Sequence, residues 1–146
     1  MSDIRISLVP YDRTMETWGA VEHFMEAAAE ATYGRYTKEN ILEAILHHDY
    51  NLWVVFNDER LFGALVTALK LYPQKKMLEL SFIGGEEGPT WKDKMLDLMQ
   101  RWAYDNNCDG IEACARFGWA KIFKDDGYRP LWQTFELPMG AEGLGE

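Results

Sequence analysis

One carboxylate of this sequence lies where a folded sheet could partly shield it from water. Residues 77–83 alternate between apolar and polar side chains, which predicts a β-strand. On such a strand Glu79 and Ser81 would face one side of the sheet, and the other side would carry Leu78, Leu80 and Phe82. A shielded carboxylate can act as a general base, whereas an exposed or ion-paired one is an ordinary surface feature. The sequence leaves both interpretations of Glu79 open.

The cysteines and histidines form no metal-binding pattern. Cys108 and Cys114 are six positions apart, without a C-x-x-C pair or histidines at zinc-ligand spacing. His47 and His48 are adjacent, so on a helix their side chains would point about 100° apart. We expect no metal site, and we predict that both cysteines are small buried apolar residues in a reducing compartment. The histidines end a predicted helix, where a protonated ring complements the helix dipole; a ligand contact is the alternative.

The first half of the chain predicts one strand, two helices and a meander. Ile4–Leu8 alternates as a half-buried strand does, and a helical stripe follows it. Thr37 can cap a second helix. Three β-prone segments separated by short polar turns then predict an antiparallel meander, at residues 52–56, 61–71 and 77–83.

The second half predicts alternating helices and strands. Pro89 suits the first turn of a helix, and Gly127 suits the left-handed residue that ends one. The remaining predicted elements are a strand at Ile111–Ala115, a helix at Phe117–Lys124 and a strand at Leu131–Leu137. The order is β-α-α-β-β-β-α-β-α-β, an α/β fold with a mixed sheet of about six strands and helices on both faces. We expect one domain over residues 1–137 and a flexible, acidic, Gly-rich tail over 138–146.

Charge and hydropathy exclude some classes of function. The 146 residues carry 15 Lys and Arg against 24 Asp and Glu, a formal net charge of −9. A protein that binds nucleic acid non-specifically would show a basic balance or a basic stripe, so no direct nucleic-acid binding is expected. No apolar run reaches about 18 residues, and the first residues lack the pattern of a secretory signal. We therefore expect no membrane association and a cytoplasmic location.

The order, length and punctuation of these elements resemble the GNAT (GCN5-related N-acetyltransferase) fold over about Ile4–Leu137. The resemblance is best in the strand, Gly-rich turn and helix of residues 77–104. It is also good over 111–128, where Lys124-Asp-Asp-Gly-Tyr128 is similar to the family ending Y-x-K-x-G-F. Arg116-Phe-Gly-Trp119 and Gly127-Tyr-Arg-Pro130 resemble small GNAT-like proteins of tailed bacteriophages, some encoded in virion or assembly gene clusters.

The resemblance implies acetyl-CoA in a cleft where two parallel strands splay apart, with its pyrophosphate at the N-terminus of the next helix. Carried onto this sequence, the cofactor-binding residues are Phe82, Ile83, Gly84, Gly85, Gly88, Thr90 and Phe123. The family signature Q/R-x-x-G-x-G/A is not matched, because no Arg or Gln stands in register before the glycines. Glu86 and Glu87 occupy this loop and would repel a pyrophosphate, which Lys92 and Lys94 could partly offset.

The catalytic residues implied by the resemblance are only partly present. Phe123 stands where the family places a Tyr that acts as the general acid and protonates the leaving thiolate. Trp119 stands where a small residue usually opens the helix beside the cofactor. Glu79 would then be the base. The acid would be Tyr128 or Cys114, with Tyr104 a further candidate.

Three functions are compatible with these residues. The one favoured by Phe123, Trp119 and the two glutamates is a GNAT-fold phage-type protein with a degenerate or atypical acetyl-CoA site. It would act through a phage or host protein partner in virion assembly or as a minor virion component, in the host cytoplasm or the particle. The alternative is an active acyl-CoA-dependent N-acetyltransferase on an amine of a small molecule or protein. The net charge of −9 suggests a third, an acidic inhibitor of a host nucleic-acid-binding enzyme.

Overall fold

The computed structural model describes residues 3–114 and 117–140 of the chain. Its elements, in chain order, are β1 (Arg5–Leu8), a 3-10 turn (Tyr11–Arg13), α1 (Thr14–Glu30), α2 (Lys38–Leu46), β2 (Asn51–Phe56), β3 (Leu61–Leu71), β4 (Lys76–Gly85), α3 (Gly88–Asp105), β5 (Gly110–Ala113) and α4 (Phe117–Asp125). This is the predicted order without its last strand. Local signals set several boundaries: Thr37 and Asn40 form a capping box at α2, and Pro89 lies in the first turn of α3.

The described strands form one mixed sheet in the order β1-β2-β3-β4-β5. The first four are antiparallel neighbours, so the predicted meander is confirmed. β5 is parallel to β4 and follows it through α3, as a β-α-β unit requires.

The predicted strand at Leu131–Leu137 is wrong: this segment is neither helix nor strand, and the described residues contain five strands rather than about six. The segment has the composition of a strand, but a strand also needs a partner for its backbone groups. Trp132 and Phe135 remain largely exposed in it, at 73% and 86%.

The chain divides into two compact units, one ending at Cys114 and the other formed by the residues after it. In the second unit α4 ends as predicted: Gly127 is left-handed (φ 94°), and the Tyr128 N–H donates to the Phe123 carbonyl. The single domain expected over residues 1–137 stays a prediction. Most of the expected tail, residues 141–146, lies outside the described residues.

Two core layers cover the two faces of the sheet in the first unit. One layer packs α1 and α2 against the sheet, and its buried residues include Val21, Met25, Ile41, Leu52, Val66 and Phe82. The opposite face carries Trp53, whose indole N–H donates to Thr67 at 3.0 Å and whose ring meets that of Trp102 of α3 edge-on. Helices on both faces were predicted and are confirmed.

β4 changes faces at a β-bulge. Leu80 pairs with Thr67, but Phe82 pairs with Val66, so Ser81 is one extra residue in β4. Leu80 therefore shares the α3 face with Thr67, whereas Phe82 shares the α1–α2 face with Val66. The prediction that Phe82 faces the same side as Leu80 is wrong, because the plain alternation from which it was drawn stops at Ser81.

Helix α1 lies directly on the backbone of β4. A Cβ atom added to Gly84 would be 2.4 Å from the carbonyl oxygen of Phe24 in α1, closer than any side chain can approach. The absence of a side chain at Gly84 therefore sets the distance between α1 and the sheet.

Among residues 3–114 and 117–140, no helix has both the length and the apolar character needed to cross a membrane. The same ranges contain no group of three or more His, Cys, Asp or Glu side chains placed to hold a metal ion.

Candidate functional site

Glu79 lies on β4 in a polar setting. Its side chain is 22% exposed, and the Ser81 hydroxyl donates to its Oε1 at 2.6 Å. The Lys70 Nζ of β3 is 3.7 Å from its Oε2. Glu79 is thus both partly shielded and ion-paired, so the two interpretations left open by the sequence combine in one residue.

An aromatic wall formed by Tyr36, Tyr50 and Phe82 lies on the face of the sheet that carries Glu79. The Tyr36 ring meets Phe82 edge-on at 5.2 Å between centroids, and the Tyr50 ring does so at 5.8 Å. Burial raises the pKa of Tyr50, and so do the hydrogen-bonded Tyr36 and the negative charges of Glu79 and Asp49. The Tyr50 phenol is therefore protonated at neutral pH, and Glu79 lies close enough for its charge to raise the pKa of Tyr50.

A second carboxylate lies beside Glu79 on the neighbouring strand. Glu112 of β5 is the register partner of Glu79 in the parallel ladder. The Tyr72 hydroxyl donates to Glu112 Oε2 at 2.5 Å. This hydrogen bond, followed by burial and the charges of Glu112, Glu79 and Cys114, raises the pKa of Tyr72 to about 12. Because Lys70 is paired with Glu79, the two carboxylates leave one net negative charge here, which can attract a cation.

Cys114, one of the predicted acids, follows β5. It is exposed, so the prediction that it is a buried apolar residue is wrong; Cys108 is partly buried, and burial raises the pKa of its thiol. Cys114 comes after Ala113, the last residue of β5, so the ladder with β4 does not extend to it. Cys114 is close enough to Tyr72 to contribute to the raised pKa of that phenol.

Most residues predicted to bind the cofactor follow one another along β4 and into α3. The ladder between β4 and β5 joins Met77–Leu80 to Gly110–Ala113, whereas β4 continues to Gly85. Phe82, Ile83, Gly84 and Gly85 lie in this continuation, and the first turn of α3 contains Gly88 and Thr90. The strand and the helix start are joined by two residues alone, Glu86 and Glu87.

The two glutamates of this link are paired with an arginine remote in sequence. Arg60, in the turn between β2 and β3, donates from Nη2 to Glu86 Oε1 and from Nη1 to Glu87 Oε2, both at 2.7 Å. Lys94, expected to reach toward the link, instead donates to the Ile4 carbonyl. Lys92 is 2.9 Å from the Asp93 carboxylate.

The second unit holds the other predicted site residues. Phe123 is buried, and its ring centroid lies 5.0 Å from that of Tyr128. Burial, with a smaller contribution from Asp126, raises the pKa of Tyr128 to about 12. Its buried hydroxyl has no hydrogen-bond partner among the described residues. The Trp119 ring lies 6.1 Å from Phe123, while Arg116 lies outside the described residues.

The structure thus brings Glu79 and Cys114 into the same unit and places Tyr128 and Phe123 in the other. Tyr104, the further candidate acid, is 83% exposed on α3. The two adjacent histidines make different contacts. His47 Nδ1 is 2.8 Å from the Glu43 carbonyl oxygen, as in a helix cap, while the His48 ring stacks on that of Tyr11.

Several residues of the candidate site were not predicted from the sequence. Two of them, Tyr36 and Tyr50, lie in the segments before and after α2, and nothing local marks them as neighbours of β4. Arg60 was missed for the same reason, since it is 26 residues from Glu86. The one available signal was register: Glu79 and Glu112 stand on the two strands predicted to be parallel.

Comparison with known proteins gives the fold. No family model matches the sequence, and no curated protein matches it. Among solved structures, a probable acetyltransferase superposes with a TM-score of 0.69 at 13% identity, over 94% of this chain and 99% of that one. The aminoglycoside N-acetyltransferase AAC(6')-Iy in complex with CoA gives 0.67 at 13%, over 97% of each chain. A ribosomal-protein-alanine N-acetyltransferase from Brucella melitensis biovar Abortus 2308 gives 0.68 at 11%, over 94% and 100%.

These neighbours are GNAT acetyltransferases, and the chain has the GNAT fold predicted from its sequence. At identities of 11–13% the likeness shows the fold alone.

Proposed function

We propose that this protein is an acetyl-CoA-dependent acyltransferase that acetylates an amine. The observation that carries the proposal is Glu79, a partly shielded carboxylate on β4, one residue before the point where the β4–β5 ladder ends. The reaction needs a base at such a place, because an ammonium group must lose a proton before its nitrogen can attack a carbonyl.

The surroundings of Glu79 suit a cationic acceptor. Glu79 and Glu112 would attract an ammonium group, and the rings of Tyr36 and Tyr50 offer faces that a cation can approach. The Ser81 hydroxyl, donating to Glu79 Oε1, would hold the carboxylate in position. This assigns Glu79 to proton removal and the aromatic wall to acceptor binding.

The residues of β4 and α3 fit the cofactor in two respects. The β4–β5 ladder ends at Leu80 whereas β4 continues to Gly85, so the strand residues after Leu80 have no ladder partner in β5. The N-terminus of α3 follows after two residues, where the helix dipole favours a phosphate group. When bound, acetyl-CoA supplies the thioester carbonyl that the amine attacks. Cys114, in the same unit as Glu79, is the candidate proton donor, and Tyr128 stays a prediction from the sequence.

The test is the substitution Glu79→Gln, assayed with acetyl-CoA and a panel of amines of different size. We expect acetyl-CoA binding to stay within about twofold, measured by calorimetry, and the rate of thiol release to fall about 10²–10⁴-fold, the range for losing a general base. Glu112→Gln, compared at saturating amine, is the matched control, since it removes a carboxylate that helps to attract the acceptor but keeps the proposed base.

An equal loss of rate in Glu112→Gln would remove the assignment of the base to Glu79. A native chain that neither binds acetyl-CoA nor acetylates any amine would contradict the whole proposal. Two other hypotheses remain predictions: action through a phage or host protein partner, and inhibition of a nucleic-acid-binding enzyme by charge mimicry. None of the contacts described above supports either of them.

A further inference from the structure

We infer that Arg60 is a positioning residue for the phosphates of the cofactor, and that it acts by drawing Glu86 and Glu87 away from them. The inference rests on the proposed function. It addresses the conflict between a proposed phosphate site and the two carboxylates in the link that leads to it.

The geometry of the guanidinium group supports this role. Arg60 contacts both carboxylates at once, through a different nitrogen for each, at 2.7 Å. Its guanidinium carbon also lies 4.5 Å from the ring centre of Phe62, which fixes it against β3. One side chain thus holds both carboxylates of the link.

The direction of the pull follows from the strand order. β3 and β5 flank β4 on opposite edges, and the turn that carries Arg60 leads into β3. The carboxylates are therefore drawn toward the β3 edge. The β5 edge, where the ladder stops at Leu80, is the side on which the proposed cofactor would lie.

The backbone of the link is held by other contacts. The Glu86 N–H donates to the Phe62 carbonyl at 2.8 Å, and the Trp91 indole N–H donates to the Glu86 carbonyl at 2.9 Å. Removing the guanidinium group should therefore release the two carboxylates without unfolding the link. The paired side chains are 41–65% exposed, so their contribution to stability is small.

The test is a double-mutant cycle on acetyl-CoA binding, measured by calorimetry without any turnover. We expect Arg60→Gln to weaken binding about tenfold at low salt, and less at high salt, because a screened repulsion is being exposed. In a background carrying Glu86→Gln and Glu87→Gln, the same substitution should change the affinity less than twofold. S-acetylpantetheine, which lacks phosphates, should bind all four proteins equally.

Arg5→Gln is the matched control, since it breaks an exposed pair with Asp58 in the same turn and leaves both glutamates paired. An unchanged affinity in Arg60→Gln would overturn the inference, and so would an equal loss in both backgrounds, which would indicate direct contact with phosphate. In either case the native affinity keeps the proposed function standing. A native chain without affinity for acetyl-CoA would end both proposals.

Discussion

Single hydrogen bonds fix the residues around the site. Ser81 holds Glu79, Tyr72 holds Glu112, and on the opposite face of the sheet Thr67 accepts from the indole of Trp53. The last pair is the most deeply buried, with Thr67 at 0% and Trp53 at 3% exposure. Thr67 also pairs with Leu80, directly before the bulge, so this contact supports the strand that carries Glu79, the proposed base.

Thr67→Val should lower the free energy of unfolding by about 1–3 kcal/mol, because the buried Trp53 N–H loses its acceptor without a change in side-chain shape. The measurement is urea unfolding at constant m-value. Thr67→Ser, which keeps the hydroxyl, is the control and should lose less. A larger loss in Thr67→Ser than in Thr67→Val would show that the methyl group, rather than the hydrogen bond, supports this position.

The helices and strands of the site are set by close packing as much as by local signals. α1 approaches β4 at Gly84, two residues after Phe82 of the aromatic wall. The bulge at Ser81 then decides which face each later residue of β4 presents.

Gly84→Ala should destabilise the protein by about 1–3 kcal/mol, because the new methyl group displaces α1 from the sheet. Gly19→Ala is the control: Gly19 lies in α1 itself, and a Cβ added there would meet nothing within 4 Å. This substitution should leave the stability of the protein unchanged or raise it by up to about 1 kcal/mol. Denaturant unfolding of both variants checks the expectation. A Gly84→Ala protein as stable as the native one would contradict the close approach of the helix.

The parts of the fold that were predictable are those with local causes. Thr37 caps its helix through its own side chain, Pro89 suits a first helical turn, and Gly127 ends α4 in a left-handed conformation. The bulge was not predictable, since residues 77–83 alternate without interruption in sequence. The pairing of Arg60 with Glu86 was not predictable either, because tertiary structure alone brings residues of different turns together.

At the scale of the whole molecule, several tyrosines have a raised pKa. Burial and Tyr36 act on Tyr50, the hydrogen bond to Glu112 raises the pKa of Tyr72 to about 12, and burial raises that of Tyr128 to about 12. The folded state binds the phenolic protons more tightly than the unfolded chain does, so these tyrosines stabilise the fold while they are protonated. Their contribution is complete below the unfolded tyrosine pKa near 10 and is lost as pH rises through the folded values.

The free energy of unfolding should therefore decrease as the pH rises from about 10 to about 12. Urea unfolding across this range checks the sign. Tyr72→Phe, which removes one titrating group, should make the fall less steep. An unfolding free energy that stays flat over the range would show that these phenols titrate alike in the folded and unfolded chains.

Ser81 also separates what the fold requires from what the site requires. A chain one residue shorter, lacking Ser81, would still pair Leu80 with Thr67 and Phe82 with Val66, and every later side chain would keep its present face. The architecture could thus be built from 145 residues instead of the 146 in the sequence. The surplus residue interrupts a regular ladder, and its hydroxyl is bonded to Glu79. An insertion that the scaffold does not need, placed beside the proposed base, is the kind of departure from regularity that selection for chemistry leaves in a strand.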